Sequence, residues 1–320
     1  MKMWNNRKVL VTGATGLLGT HLCEELCLQG AEVIAMIRDY VPKSRYYDSF
    51  KISSVKEVNG DVTDFQFVNR VLNEYQIQTV FHLAAQTQVG IANKNPMPTL
   101  QTNIMGTVNI LEAARINETE QVVIASSDKA YGDAHDFPYT EKTALHGVHP
   151  YDVSKSCADL IAQTYHETYL MNIGITRCGN LFGPGDLNFN RIIPGTIQSL
   201  MNNHPPIIRS DGKMIRDYFY VKDAVNAYMK LAEGIIEWPG MSYAYNFSYN
   251  EPMSVIDIVK LIAKLMDKHD YDPIIQNNAS NEIYYQSLDS SLARSLLGWG
   301  PQWTQQDALL ETIEWYQENL

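Results

Sequence analysis

The chain holds 320 residues, 45% hydrophobic and 19% charged, which suits one large folded unit or two intimate lobes and excludes a disordered, collagenous or coiled-coil chain. Its 25 basic and 36 acidic residues leave a net charge of −11, so it lacks the basic field that nucleic-acid binding needs, while a small phosphate-bearing ligand needs only a few placed donors. No apolar run reaches the roughly 18–20 residues of a membrane helix, and the N-terminal segment Met1–Lys8 has no apolar leader, so the expected location is the cytoplasm.

The first half alternates short apolar runs with helical periods. Lys8–Thr12 reads as a buried strand, Leu17–Gln29 as a helix stopped by Gly30, and Glu32–Ile37 as a second strand. Val55–Val58 is a short third strand, Asp64–Tyr75 a helix, and Thr79–Ala84 a fourth strand. A helix over Thr99–Ile116, a strand at Gln121–Ala125, a helix over Tyr151–Met171 and a strand at Ile173–Arg177 follow. Apolar strands interleaved with helices predict an α/β fold with a parallel sheet covered on both faces. Beyond about residue 180, Gly, Pro and Asn accumulate around 183–190 and 204–213, which predicts a smaller, loop-rich C-terminal lobe. The boundary falls between 1–178 and 179–320, with some later segments returning to the first domain. Helices are expected again at Ser254–Lys268 and Gln306–Asn319.

Three groups of residues point to chemistry. Gly13, Gly16 and Gly19 lie between the first strand and the first helix, in Thr12-Gly13-Ala14-Thr15-Gly16-Leu17-Leu18-Gly19. Glycines here allow a tight turn and a close backbone approach to a pyrophosphate, whose charge rests on the helix N-terminus. The fold expectation is therefore a Rossmann-type doubly wound sheet with a C-terminal substrate lobe. At the end of the second strand stands Ile37-Arg38-Asp39, where an acid favours NAD and an arginine favours NADP. The reading leans to NADP through Arg38, with adenine stacking by Arg38 and use of NAD left open. Tyr151 and Lys155 share a helix face, so a phenol and an ammonium point into one site, and the positive charge is expected to lower the tyrosine pKa. Ser127 stands at a strand end, 24 residues before Tyr151. Cys23, Cys27, Cys157, Cys178 and the eight histidines show no metal-ligand spacing, so no metal is expected.

Together the glycine motif, Ser127 and the Tyr151/Lys155 pair resemble the extended branch of the short-chain dehydrogenase/reductase family. The resemblance implies adenine contacts from Asp61-Val62, nicotinamide-ribose contacts from Leu83-Ala84-Ala85, and a substrate contact from Gln86. Ser127-Asp128-Lys129 is similar to the CDP-glucose 4,6-dehydratases, and Arg38 follows the pattern of the GDP-mannose 4,6-dehydratases. This branch implies a catalytic set of Ser127, Asp128, Lys129, Tyr151 and Lys155, with Asp128 as acid and Lys129 as base for water loss. Asn180 in Arg177-Cys178-Gly179-Asn180-Leu181-Phe182-Gly183-Pro184, together with Arg191 and Arg216, would hold a nucleotide-diphosphate sugar. Arg216-Asp217-Tyr218 replaces the Arg-Pro-Trp of CDP-glucose dehydratases, which leaves the base open. The alternative activity is a 4-epimerase or 4-ketoreductase, which needs only the Ser/Tyr/Lys set. The helix after Tyr151 implies a homodimer.

Overall fold

Seven strands build one all-parallel sheet in the computed structural model, which describes residues 3–49, 54–237, 243–279 and 282–320. Met1 and Lys2 of the N-terminal segment lie outside the described residues. The chain opens with β1 (Lys8–Thr12), α1 (Leu17–Leu28), β2 (Glu32–Ile37), α2 (Arg45–Asp48), β3 (Lys56–Asn59), α3 (Phe65–Glu74) and β4 (Thr79–His82). Then come α4 (Val89–Lys94), α5 (Pro96–Leu100), a π-helical turn (Gln101–Met105), α6 (Gly106–Ile116), β5 (Gln121–Ala125), α7 (Pro150–Tyr169) and β6 (Ile173–Cys178). The spatial order β3-β2-β1-β4-β5-β6 reverses direction between β1 and β4. That reversal leaves a crevice at the strands' carboxyl ends, where open α/β sheets bind ligands.

Two expected elements change shape for identifiable reasons. The sequence predicts a strand through Ala84, yet β4 ends at His82. The N–H groups of Leu83 and Ala84 both turn to Thr12 Oγ1, at 3.1 Å each, and leave the sheet ladder. The single helix expected over Thr99–Ile116 is instead α5, the π-helical turn and α6. Thr107 donates its hydroxyl to the Asn103 carbonyl at 2.7 Å, and Gly106 lies so near Val62 that a Cβ there would stand 2.7 Å from Val62 Cγ2.

The second half runs β7 (Asn180–Phe182), α8 (Ile192–Met201), β8 (Ile207–Ile208), β9 (Ile215–Arg216), β10 (Tyr218–Tyr220), α9 (Val221–Glu237) and β11 (Ala244–Phe247). It closes with β12 (Met253–Ser254), α10 (Val255–Leu265), β13 (Ile274–Ile275), α11 (Ser291–Leu296) and α12 (Gln305–Asn319). β7 pairs with β10, β9 with β12, and β8 with β13. Neither α9 nor β11 is among the elements expected from the sequence. β11 pairs in parallel with β6 and is the seventh strand of the main sheet. α9 buries Val221, Ala224, Val225, Tyr228, Leu231 and Ala232, an i, i+3, i+4 pattern laid on the sheet. Val9 and Val11 pack on that face with α1 and α9, and Leu10 packs on the other with α3 and α6. Each fully buried aliphatic chain contributes about 1.5–3 kcal/mol, so this double-sided burial fixes where β1 ends.

Candidate active site

A cavity of ≈1130 Å³ opens where the sheet order reverses. Thr12 ties its floor together, because its hydroxyl takes the two N–H groups after β4 and pairs with His82 Nδ1 at 2.9 Å. Burial brings His82 down to about 3, so the ring is neutral where it reaches Thr107 Oγ1 at 3.2 Å. Gly13 follows at φ +69°, where a Cβ would lie 2.9 Å from the Ala84 nitrogen. Gly19 lies tight on the turn, whereas Gly16 has only the Gly13 carbonyl oxygen, at 3.3 Å, near the place a Cβ would occupy. α1 starts with no side-chain cap and no acid in its first turn. Gly13, Thr15, Gly16, Leu17, Leu18 and Gly19 all line the cavity, a cradle that fits a dinucleotide pyrophosphate. Arg38, Asp61, Val62, Leu83, Ala84 and Ala85 continue this wall. Arg38 is exposed and donates from Nε to Asp39 at 2.6 Å. Asp61 accepts the N–H and the hydroxyl of Thr63 at 2.9 Å each, which closes the turn after β3.

Ser127, Lys129, Tyr151 and Lys155 all line the cavity. Lys155 is buried on α7 and donates to the Ala125 carbonyl at 2.7 Å. Its burial lowers it to about 8, with Asp159 and Cys178 pulling the other way. Tyr151 departs from expectation. Burial pushes it up to about 12, Asp128 and Asp152 add to the rise, and Arg191 and a hydrogen bond to Ser127 oppose it. Loss of solvent outweighs the pull of Arg191, so the phenol is held above rather than below its usual range. Asp128 also differs from its companions, because it lies behind the cavity wall and is 2% exposed. Its Oδ1 accepts from the Ser127 hydroxyl at 3.0 Å, and its Oδ2 has no hydrogen-bond partner among the described residues. Burial pushes the Asp128 carboxyl up against the pull of Lys129, Ser127 and Arg216. Lys129 donates to Gln286 Oε1 at 2.9 Å.

Gln86 continues the loop after β4 along the cavity, and Asn180, Arg191 and Arg216, from the second half of the chain, form the other wall. Arg191 reaches Asp186 at 3.1 Å. Arg216 donates to the carbonyls of Ile215 and Tyr284 at 2.8 and 3.3 Å, and pairs with Glu282 at 3.3 Å. Among the described residues no group of three or more His, Cys, Asp or Glu side chains could hold a metal, and no helix is long and apolar enough to cross a membrane.

Four further residues shape the site without having been expected. Asn103, on the π-helical turn, exchanges hydrogen bonds with both backbone groups of Gln86 and donates to Ser154 Oγ at 2.9 Å, one residue before Lys155. It clamps the loop after β4 to α7. Asp217 is pushed to about 7 and Asp152 to about 6, both by burial first, and repulsion from Asp128 adds to each. Gln286 arrives from 157 residues away along the chain. No local pattern marks any of these four.

The sequence pattern of the GDP-mannose 4,6 dehydratase family matches residues 10–312. The chain belongs to this family. It is 29% identical over 329 residues to CDP-glucose 4,6-dehydratase of Salmonella typhimurium, covering 98% of this chain and 91% of that protein. Among solved structures, the epimerase Mth375 of Methanothermobacter thermautotrophicus superposes with a TM-score of 0.91 at 28% identity, covering 99% and 94% of the two chains. MoeE5, solved in complex with UDP-glucose and NAD, superposes with a TM-score of 0.85 at 27% identity, covering 97% and 99%. The GDP-mannose 4,6 dehydratase family thus shares its fold with a protein described as an epimerase, and the side chains of the site must separate the two chemistries.

Proposed function

We propose that this protein is a nucleotide-sugar 4,6-dehydratase, which converts a nucleotide-activated hexose to its 4-keto-6-deoxy form with loss of water. The observation that supports it is a buried carboxyl and a lysine, Asp128 and Lys129, placed directly after Ser127 beside Tyr151 and Lys155. An epimerase or ketoreductase has no use for that extra pair. The glycine turn and the uncapped α1 suit a nicotinamide dinucleotide, as does the NAD bound by MoeE5. Arg38 would meet the 2′-phosphate of NADP, and Asp39 a free ribose hydroxyl; titration with each dinucleotide separates the two.

In this reading Tyr151 takes the proton of the C4 hydroxyl, Ser127 holds that oxygen, and Lys155 anchors the ribose and stabilises the phenolate. A nicotinamide dinucleotide held by the Gly13–Gly19 turn and Lys155 would supply the reversible storage of the C4 hydrogen that the reaction needs. The C4 ketone acidifies C5–H, and Lys129 takes that proton. Burial, which raises the Asp128 carboxyl, favours the protonated form from which Asp128 supplies the proton for the departing C6 oxygen. Arg191, Arg216 and Asn180 hold the nucleotide diphosphate.

The division at 178/179, with β11 returning to the main sheet, remains our reading of the domains. Exposed Met97, Met105 and Leu160 support a homodimer, which sedimentation would weigh. The decisive experiment incubates the enzyme and its Asp128→Asn variant with a panel of nucleotide hexoses and reads products by mass. Wild type should yield a product lighter by one water, and the variant should oxidise C4 but stall before water loss. A product of unchanged mass with C4 inverted would replace this reading with the epimerase.

A further inference from the structure

A strap over residues 282–288 runs behind Lys129 and holds the cationic side of the cavity. Glu282 and the Tyr284 carbonyl take Arg216, the Gln286 N–H bonds the Ile215 carbonyl at 3.1 Å, and the Leu288 N–H bonds Asp217 Oδ2 at 2.6 Å. Gln286 is fully buried in this strap. Its Oε1 accepts from Lys129 Nζ at 2.9 Å, and its Nε2 has no hydrogen-bond partner among the described residues. A buried amide with one arm unsatisfied carries a desolvation cost that leucine or methionine of similar size would avoid. The arm that is satisfied touches a single side chain, Lys129.

Resting on the dehydratase reading, we propose that Gln286 is the positioning residue for Lys129: a neutral acceptor that holds the amino group at the cavity wall through both of its charge states. The groups around Lys129 make the acceptor's neutrality matter. Asp128 lies on the same turn and Asp152 faces it from α7, with His149 at the start of α7. Glu282, Arg216 and Asp217 lie on the strap and on the β9–β10 segment. A carboxylate in direct contact would fix an ammonium and leave no lone pair for the C5 proton. An amide oxygen accepts one N–H from amine or ammonium alike. In the step it serves, the amine lone pair takes the C5 proton, and the C5–H electrons become the C5=C6 bond. The C6–O bond breaks, and its oxygen leaves as water with the proton from Asp128. The ammonium returns its proton to C5 when C6 receives the stored hydrogen.

Gln286→Glu keeps the shape, gives up no hydrogen bond from Nε2, and places a charge where the amide oxygen stands. The test compares wild-type and variant holoenzymes on a hexose nucleotide that wild type dehydrates. It follows the pH dependence of water loss and of C5 hydrogen exchange with deuterated solvent, and C4 oxidation by nicotinamide absorbance in a single turnover. The acid limb of water loss and of exchange should move to higher pH by about one unit or more, so that both slow about tenfold at neutral pH, while C4 oxidation holds. An unmoved limb in a folded variant overturns the proposal. Gln286→Met tests it independently of any folding failure in the charged variant: exchange and water loss should fall with C4 oxidation retained, and equal loss of all three, or of none, overturns it. If wild type removes water from no nucleotide hexose, the dehydratase reading falls first, a result visible before any Gln286 variant is made.

Discussion

The two walls of the cavity offer hydrogen-bond donors by different means. On the β1–α1 wall the backbone presents the N–H groups of a helix start, and glycines clear the approach; Gly13 alone requires a left-handed conformation. On the facing wall the donors are arginine side chains, and each is already paired, Arg191 with Asp186 and Arg216 with Glu282. A backbone site is rigid and has no competing anion. A side-chain site is held in place by the acids a ligand's phosphates must displace. The first wall should therefore respond to steric change in an all-or-none way, and the second in graded steps.

The largest effect is expected at Gly16. Gly16→Val should keep the fold, because a Cβ there meets only the Gly13 carbonyl oxygen, at 3.3 Å, a contact that a shift of a few tenths of an ångström relieves, yet it should weaken dinucleotide binding by about 10²-fold or more, the equivalent of two lost charge-assisted hydrogen bonds. Thermal melting together with dinucleotide titration checks both halves. Unchanged affinity would mean that the pyrophosphate does not sit on this turn.

Arg216→Ala should raise KM for the nucleotide sugar about 10–100-fold with a smaller change in kcat, since a charged hydrogen bond to a phosphate is worth about 1.5–3 kcal/mol. A loss confined to kcat would place Arg216 outside the diphosphate site.

Asp217 supplies a pH-dependent contrast. Its carboxyl is raised to about 7 in the fold, so the folded protein binds more protons than the unfolded chain between the usual carboxylate range and pH 7. Its contribution is therefore most favourable below that range and is lost as pH rises toward 7. Asp217→Asn removes the charge while its amide oxygen can still accept the Leu288 N–H, so the variant should gain in Tm relative to wild type between pH 4 and 7. A constant difference across that range would contradict the raised carboxyl.

The smallest effect is expected at Glu282. Glu282→Gln frees Arg216 from a partly exposed pair and should lower KM only about two- to fivefold, in line with about 0.2–1 kcal/mol for such pairs. Raised KM would show that Glu282 helps to hold the ligand instead of competing with it.

How far the site was legible follows the same division. Gly13, Gly16 and Gly19, Ser127 two residues past β5, and the Tyr151/Lys155 pair lie on or beside elements whose local pattern is strong, and β1, β2 and β5 have the bounds their apolar runs predict. α9 was legible in principle from its spacing at 221, 224, 225, 228, 231 and 232 but was masked by the irregular composition around it. β11 offers four residues with a buried Asn246 in the run, satisfied by Tyr131 at 2.7 Å, and nothing local announces that.

What the sequence by itself determined is the alternation of buried strands and helices, the glycine turn, and which side chains are candidates for the site, because each depends on neighbours within a few residues. Only the tertiary structure decided their states. Tyr151 is raised rather than lowered because packing removes its water, Asp128 stands behind Ser127 rather than in the cavity, and Lys129 rests on Gln286, 157 residues away. Desolvation and long-range contact depend on which distant segments close around a group. The strap at 282–288 and the β11 strand are such segments, and no spacing along the chain encodes their arrival.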